Sequence, residues 1–263
     1  MYTVSQLFIY PIKSLGGISV NEAKITDRGL AYDRRWMLVD NDYQFLTQRK
    51  NSQMALLATE LHNDHMLVSH KAKEGKIKIP LITSNPETAI ATIWDDQCLV
   101  RFVTDEADKW FSEMLSINCR RVYMPDQSKR KIEEPFGNDH NITSLSDGYP
   151  ILMVGQSSLD DLNNRLAEPV PIDRFRPNIV FTGGTPYIED SFTDLNINDA
   201  SLTGVKASSR CNVITINQQT GITSHEPLAT LATYRKQNNK VYFGQNLLIR
   251  KTGFVSVGQH IEL

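Results

Sequence analysis

Apolar and polar residues alternate in short runs through the first hundred residues and change to a helical period only near Thr104. Val4 to Tyr10, Val20 to Thr26, Trp36 to Asp40 and Phe45 to Thr47 are rich in β-branched and aromatic side chains, with Gly16-Gly17 and Asn41-Asp42 as turns between them. The pattern continues through Ala55 to Leu61, Met66 to Ser69, Lys76 to Ile79, Ala89 to Trp94 and Cys98 to Val103, the last two joined at Asp95-Asp96. So many short strands with regular turn signals predict a barrel or barrel-like sheet.

From Thr104, apolar Ala107, Trp110, Phe111, Met114 and Leu115 fall on one helical face, with Thr104 or Asp105 placed to cap the helix and Trp110 and Phe111 read as core. Residues 124–141 are charged, turn-rich and poor in apolar side chains, and read as a linker or mobile loop. An apolar run, Pro150 to Val154, opens the second half, followed by a short helix carrying Leu159, Leu162 and Leu166 and capped by Ser157 or Ser158. Strands are predicted at Asn178 to Phe181, Ala200 to Val205, Asn212 to Ile216, Val241 to Ile249 and Phe254 to Val257, with a last helix over Glu226 to Arg235 opened by Pro227. The fold class is mixed, β-rich α+β, with three or four helices and no internal repeat.

The 263 residues suffice for one large core or two modest ones, with length favouring two, and the formal net charge of -2 is spread along the chain rather than gathered in a basic block. Bulk electrostatics therefore argue against a nucleic-acid or membrane partner, and an anionic ligand must be held by local groups. Three widely spaced cysteines, Cys98, Cys119 and Cys211, form no disulfide framework and fit a reducing compartment. With no targeting segment and no apolar stretch of membrane-spanning length in the sequence, the expectation is a cytoplasmic protein.

Candidate chemistry centres on Cys211, a thiol between Arg210 and a β-branched run. A thiolate is the soft ligand that a sulfur-bound high-valent metal takes, and an adjacent arginine favours the ionised form, although a free cysteine is also a common small core residue. The turn Lys13-Ser14-Leu15-Gly16-Gly17 can aim an ammonium and backbone N–H groups at an anion, or serve as a plain hairpin. In Arg34-Arg35, alternation sends one guanidinium inward, where it can grip a phosphate, and leaves the other solvated. Pro177 makes a rigid mount for Arg176 and Asn178, and Ser146-Asp147-Gly148-Tyr149 forms a polar turn before a buried strand. His62, His65 and His70 lack the fourth ligand and cysteine partners that zinc requires and read as solvated; His225 stands alone before Glu226-Pro227. Hydrolase and dinucleotide-binding motifs are absent.

Ile9-Tyr10-Pro11-Ile12-Lys13-Ser14, Gly29 through Trp36, Ser158 to Asn163, Phe175 to Val180, Ser209-Arg210-Cys211, Glu226-Pro227-Leu228 and Phe243-Gly244-Gln245, taken in order, resemble the MOSC family. That name denotes the molybdenum cofactor sulfurase C-terminal domain, here with its N-terminal β-barrel partner, and the likeness is to the branch of the amidoxime reducing component. It implies a MOSC N-terminal β-barrel-like domain over residues 1–123 packed on a MOSC β-barrel domain over 124–263, with a few peripheral helices. It also implies a molybdenum–molybdopterin cofactor in the cleft between them, with Cys211 as the protein's metal ligand and a catalytic residue. Lys13, Ser14 and Arg34 match the pterin phosphate side, while Arg176, Asn178, Ser209 and Arg210 match the other wall. Asp147 matches a catalytic aspartate loop beside the metal, with Gly148-Tyr149 where some relatives carry hydroxyl residues.

The implied activity is reduction of N-hydroxylated small molecules such as amidoximes, hydroxylamines and hydroxylated bases. The alternative is a non-catalytic carrier of the cofactor or of sulfur on Cys211. The Cys-x4-Cys-x2-Cys run of a plant-type ferredoxin module is absent, so electrons are expected from a separate ferredoxin-, flavodoxin- or cytochrome-type protein and its reductase.

Overall fold

The computed structural model describes residues 1–132, 135–137 and 140–263. Part of the expected linker, residues 133–134 and 138–139, lies outside them; flanking it, Arg130–Lys131 pairs with Ile142–Thr143.

One sheet closes on itself. In spatial order its ring runs Ile151–Gly155, Ile179–Thr182, Tyr2–Ile9, His260–Glu262, Asp194–Ile197, Ala200–Arg210 and Lys240–Lys251, and Lys240–Lys251 pairs back to Ile151–Gly155 with Ile151 opposite Leu247. This is a seven-stranded barrel, and closure leaves it no free edge along that ring. Alternation sends Val4, Leu7, Ile9, Met153, Phe181, Leu195, Leu202 and Leu247 into a shared core, each no more than 3% exposed. Tyr2–Ile9, from the start of the chain, therefore sits inside a ring otherwise built from its far half, with Ile18–Val20 paired to it off the ring. The three-stranded sheet of Gly253–Ser256, Glu22–Thr26 and Gly29–Leu30 makes a second tie of the same kind.

The rest of the first half forms a four-stranded half-barrel in the order Trp36–Val39, Arg120–Tyr123, Asp96–Phe102 and Thr88–Ile93, with a three-stranded meander over Leu57–Leu61, His65–His70 and Lys76–Pro80. Phe45 bridges to Val39 and Gln44 to Thr92, so the segment predicted as a strand at Phe45 spans the two edges instead of forming a ladder. Among the described residues there are three α-helices: Asp105–Leu115, Gln156–Asn163 and Leu228–Tyr234. Thr104 caps the first, its Oγ1 accepting from the Ala107 N–H at 3.2 Å. No helix among the described residues is long and apolar enough to cross a membrane.

Four local expectations need correcting. Gly155, not a serine, occupies the N-cap of Gln156–Asn163, because the Ser158 hydroxyl is buried inside the first turn, donating to Glu189 at 2.8 Å and accepting from the Tyr187 N–H. Asn212 to Ile216 is a 3-10 turn over Asn212–Thr215, since the chain must leave the barrel after Cys211. His70 is buried rather than solvated, its Nδ1 accepting from the N–H groups of Ala72 and Lys73. Arg35 is not solvated either: its guanidinium donates to the Tyr123 hydroxyl, the Met124 carbonyl and Asp126.

Packing along Ala200–Arg210 is tight enough to test. A methyl group at Gly204 would lie 2.0 Å from the Phe192 carbonyl oxygen, whereas one at Gly148 meets nothing within 4 Å. Gly204→Ala is expected to cost about 2 kcal/mol or more and Gly148→Ala close to nothing, read as the shift in urea midpoint.

Candidate functional site

Six chain segments converge on one cleft of about 300 Å³. The turn after Tyr2–Ile9 brings Lys13 and Ser14, the next turn brings Arg34, and Thr47-Gln48-Arg49 closes one side. The Ser146–Tyr149 turn brings Asp147, the segment before Ile179–Thr182 brings Arg176 and Asn178, and the end of Ala200–Arg210 brings Ser209, Arg210 and Cys211. All nine site residues singled out in the sequence line this cleft. Register shifts in the ladder with Lys240–Lys251, the last between Ala207 and Ser209, mark bulges that re-aim the strand as it reaches Arg210.

The lining carries six cationic side chains, Lys13, Arg34, Arg49, Arg176, Lys206 and Arg210, against one carboxylate, Asp147. Internal partners hold these like charges together. The Arg34 and Arg176 guanidiniums each lie 4.3 Å from the centre of the Tyr10 ring, whose quadrupole attracts both. Arg34 also donates to buried Asp33 at 2.6 Å, to Asn178 Oδ1 at 3.2 Å and to the Arg176 carbonyl at 3.2 Å. Arg34 and Arg176 both adopt left-handed backbone, at φ 48° and 56°, a strained conformation that the surrounding contacts impose.

Arg210 donates to the Ser208 hydroxyl at 3.0 Å and the Phe175 carbonyl at 2.6 Å, leaving its buried Nε without a partner. Burial pushes Arg176 and Arg210 down to about 10, so both stay charged at neutral pH. Cys211 is partly exposed at the strand's end, whereas Cys98 and Cys119 are buried elsewhere, where burial pushes their thiols up, Cys119 to about 11.

Lys13 and Asp147 form the tightest contact across the cleft, Nζ to Oδ1 at 2.5 Å. The lysine side chain is 5% exposed and the aspartate side chain 66%, so the pair joins a buried cation to a carboxylate open to water. Burial pushes Lys13 down to about 8, with Asp147 opposing and Arg130 and Arg34 assisting. Desolvation raises the Asp147 carboxyl, but Lys13, Arg49 and the Trp94 indole N–H outweigh it and hold it well below the usual carboxylate range.

Two proposed contacts take a different form. The N–H groups of Lys13, Leu15 and Gly16 donate to carbonyls within the fold, so that turn offers the cleft its ammonium and Ser14 rather than a cradle of those three amides. Asn178 is buried with its amide joining Phe8, Leu152 and Arg34, which makes it a brace behind the guanidinium. Arg35, His62, His65, His70 and His225 lie outside the cleft. Sequence reasoning missed Arg49, Lys206, Trp94 and Arg130. Lys206, Ser208 and Arg210 recur at the strand period, a signal that was available; Arg49 and Trp94 reach Asp147 only through the fold.

A two-part β-rich protein with this cationic, thiol-bearing cleft meets two family models: the MOSC N-terminal beta barrel domain matches residues 1–118 and the MOSC domain residues 140–262. The chain belongs to the MOSC family. It is 33% identical to mouse mitochondrial amidoxime-reducing component 1, over 99% of this chain and 82% of that protein. It is 30% identical to rice molybdenum cofactor sulfurase, over 92% of this chain but only 32% of that longer protein. A solved structure, the YUAD protein from Bacillus subtilis, aligns over 99% of this chain and 94% of that one at 9% identity and a TM-score of 0.43.

Sulfate, a dianion across the neutral and alkaline range, probes the cleft directly. Its affinity for cofactor-free protein, measured by calorimetry, is expected to fall as pH rises through about 8, because Lys13 then loses its proton while Arg176 and Arg210 keep theirs. Asp147→Asn is expected to tighten binding by about tenfold by removing the competing carboxylate. A flat pH profile would take Lys13 out of the anion site.

Proposed function

We propose that this protein is a molybdenum-cofactor-dependent oxidoreductase that reduces N-hydroxylated small molecules. The observation that carries the reading is the joining of six cations and one partly exposed thiol in a single cleft. Among the described residues no group of three or more His, Cys, Asp or Glu gathers to hold a bare metal ion. A metal at Cys211 would therefore bring most of its own ligands, as a pterin dithiolene does, and the partnerless Nε of Arg210 is the kind of buried donor that such an anionic group satisfies. The donor set fits the cofactor.

Lys13 and Arg34 would take the phosphate, Arg34 through the forked geometry that suits it, with Ser14 adding a hydroxyl. Arg176, Ser209 and Arg210 would hold the pterin wall, with Asn178 bracing Arg34 from behind. Cys211 would supply the single protein sulfur to the metal. When bound, the cofactor supplies a centre able to exchange an oxygen atom and a pair of electrons, which is the chemistry that reduction of an N–OH group to N–H and water requires. Arg210 sets a permanent charge beside the Cys211 sulfur, and Tyr10 keeps Arg34 and Arg176 in place without neutralising either. Asp147, which lines the cleft from the Ser146–Tyr149 turn, would stand beside the metal, ionised and open to water, within reach of substrate.

In this reading electrons come from a separate ferredoxin-, flavodoxin- or cytochrome-type donor. The three free thiols fit a reducing, cytoplasmic setting. These assignments draw support from the named relatives and from the charge and sulfur of the cleft.

Protein from a host that makes the cofactor is expected to carry close to one molybdenum per chain by elemental mass spectrometry and to reduce benzamidoxime with a reduced dye. Cys211→Ser is expected to abolish turnover while leaving the thermal midpoint near wild type, the change being nearly isosteric. Molybdenum with no turnover on any N-hydroxylated substrate would favour the carrier alternative. Arg176→Ala is expected to lower bound molybdenum far more than Arg35→Ala, since Arg35 points away from the cleft; equal losses would contradict the assignment.

A further inference from the structure

We propose that Arg130 is a positioning residue for this cleft: it locks the turn from Ser144 to Asp147 by its carbonyl oxygens and so holds the Asp147 carboxylate against the Lys13 ammonium. Arg130 does not line the cleft. It lies behind the turn, 4% exposed, in the short strand Arg130–Lys131 that pairs with Ile142–Thr143. One terminal nitrogen donates to the Ser144 carbonyl at 3.2 Å and the Ser146 carbonyl at 2.5 Å, and the other to the Asp147 carbonyl at 3.2 Å. Its Nε donates to Asp96 at 2.5 Å. Asp96 begins the strand that follows Trp94, and the Trp94 indole N–H reaches the same Asp147 oxygen that Lys13 holds.

One planar fork thus fastens three carbonyls of the catalytic turn to the hairpin that also touches its carboxylate. Only a guanidinium has the donors and the planarity for this; an ammonium keeps the charge but not the fork. Arg130 is too well satisfied to be an anion ligand, which separates it from the other arginines near the cleft.

The charged groups acting on Lys13 are Asp147, which favours its protonated form, and Arg130 and Arg34, which disfavour it, with Arg49 reaching the other oxygen of Asp147. If Arg130 acted only as a nearby charge, removing it would raise the Lys13 titration midpoint. As a positioning residue, its loss frees Asp147 and the midpoint falls.

The inference rests on the cofactor reading for its biological meaning. The test is made on cofactor-free full-length chain, so its outcome stands whether or not that reading does. The Lys13 midpoint is followed by NMR of the ε-carbon in protein with 13C-labelled lysine, the signal assigned through Lys13→Arg. Wild type is expected to titrate near 8 and Asp147→Asn lower. Arg130→Gln and Arg130→Lys are both expected to move the midpoint down by about half a unit or more, roughly threefold in the dissociation constant. An upward or unchanged midpoint in a folded variant overturns the proposal. Should Arg130→Gln not fold, Arg130→Lys carries the test, and failure of both to fold would assign Arg130 to stability rather than to positioning.

Discussion

The strand Tyr2–Ile9 is hydrogen-bonded on one side to Ile179–Thr182 and on the other to His260–Glu262, and the cleft depends on that pairing. Its last residues lead directly into Tyr10 and Lys13, so the register that sets Leu7 opposite Ile179 also brings the Tyr10 ring to Arg176 and its hydroxyl to the Pro177 carbonyl at 3.1 Å. A slip of one residue would turn every side chain of the strand over. With Val4, Leu7 and Ile9 buried in the barrel, such a slip would expose the core, so hydrophobic burial enforces the register that assembles the polar site.

Holding six cations in one cleft opposes folding, and the structure offsets the repulsion with several kinds of partner. Asp33 takes Arg34, Tyr10 takes Arg34 and Arg176 by its ring face, backbone carbonyls take Arg34 and Arg210, and Asp147 takes Lys13. These partners leave donors over. The buried Nε of Arg210 makes no hydrogen bond, which is costly unless a ligand supplies the acceptor. A site that is incompletely satisfied by its own protein yet rigidly built is what tight binding of an anion needs, because ordering costs are met on folding rather than on binding.

The Lys13–Asp147 contact joins two walls of the cleft. Lys13 reaches the cleft from the turn after the first strand and Asp147 from a turn more than a hundred residues later, and the two side chains touch. An anion reaching Lys13 has to share it with Asp147, so the carboxylate tunes how strongly the cleft holds its ligand. The same turn is fastened from behind by Arg130 and touched by Trp94, both brought by segments remote in sequence.

Much was legible in the order of residues, for local reasons. Period-two runs located most strands, Thr104 marked the start of its helix, and the polar motifs at Lys13, Arg34, Asp147, Arg176 and Cys211 stood out because each interrupts or ends an apolar run. What the residue order left open was everything settled by partners distant along the chain. Ser158 looked like a cap and became a buried link to Glu189; His70 looked solvated and is enclosed; Arg35 turned from solvent to the Met124 carbonyl. Arg49, Trp94, Arg130 and Lys206 joined the site or its support unannounced. Hydrophobic periodicity and cap chemistry act between residues a few positions apart and can be read along the chain. Hydrogen-bond satisfaction of a buried polar group depends on whichever segment the barrel closure brings against it, and only the tertiary structure decides that.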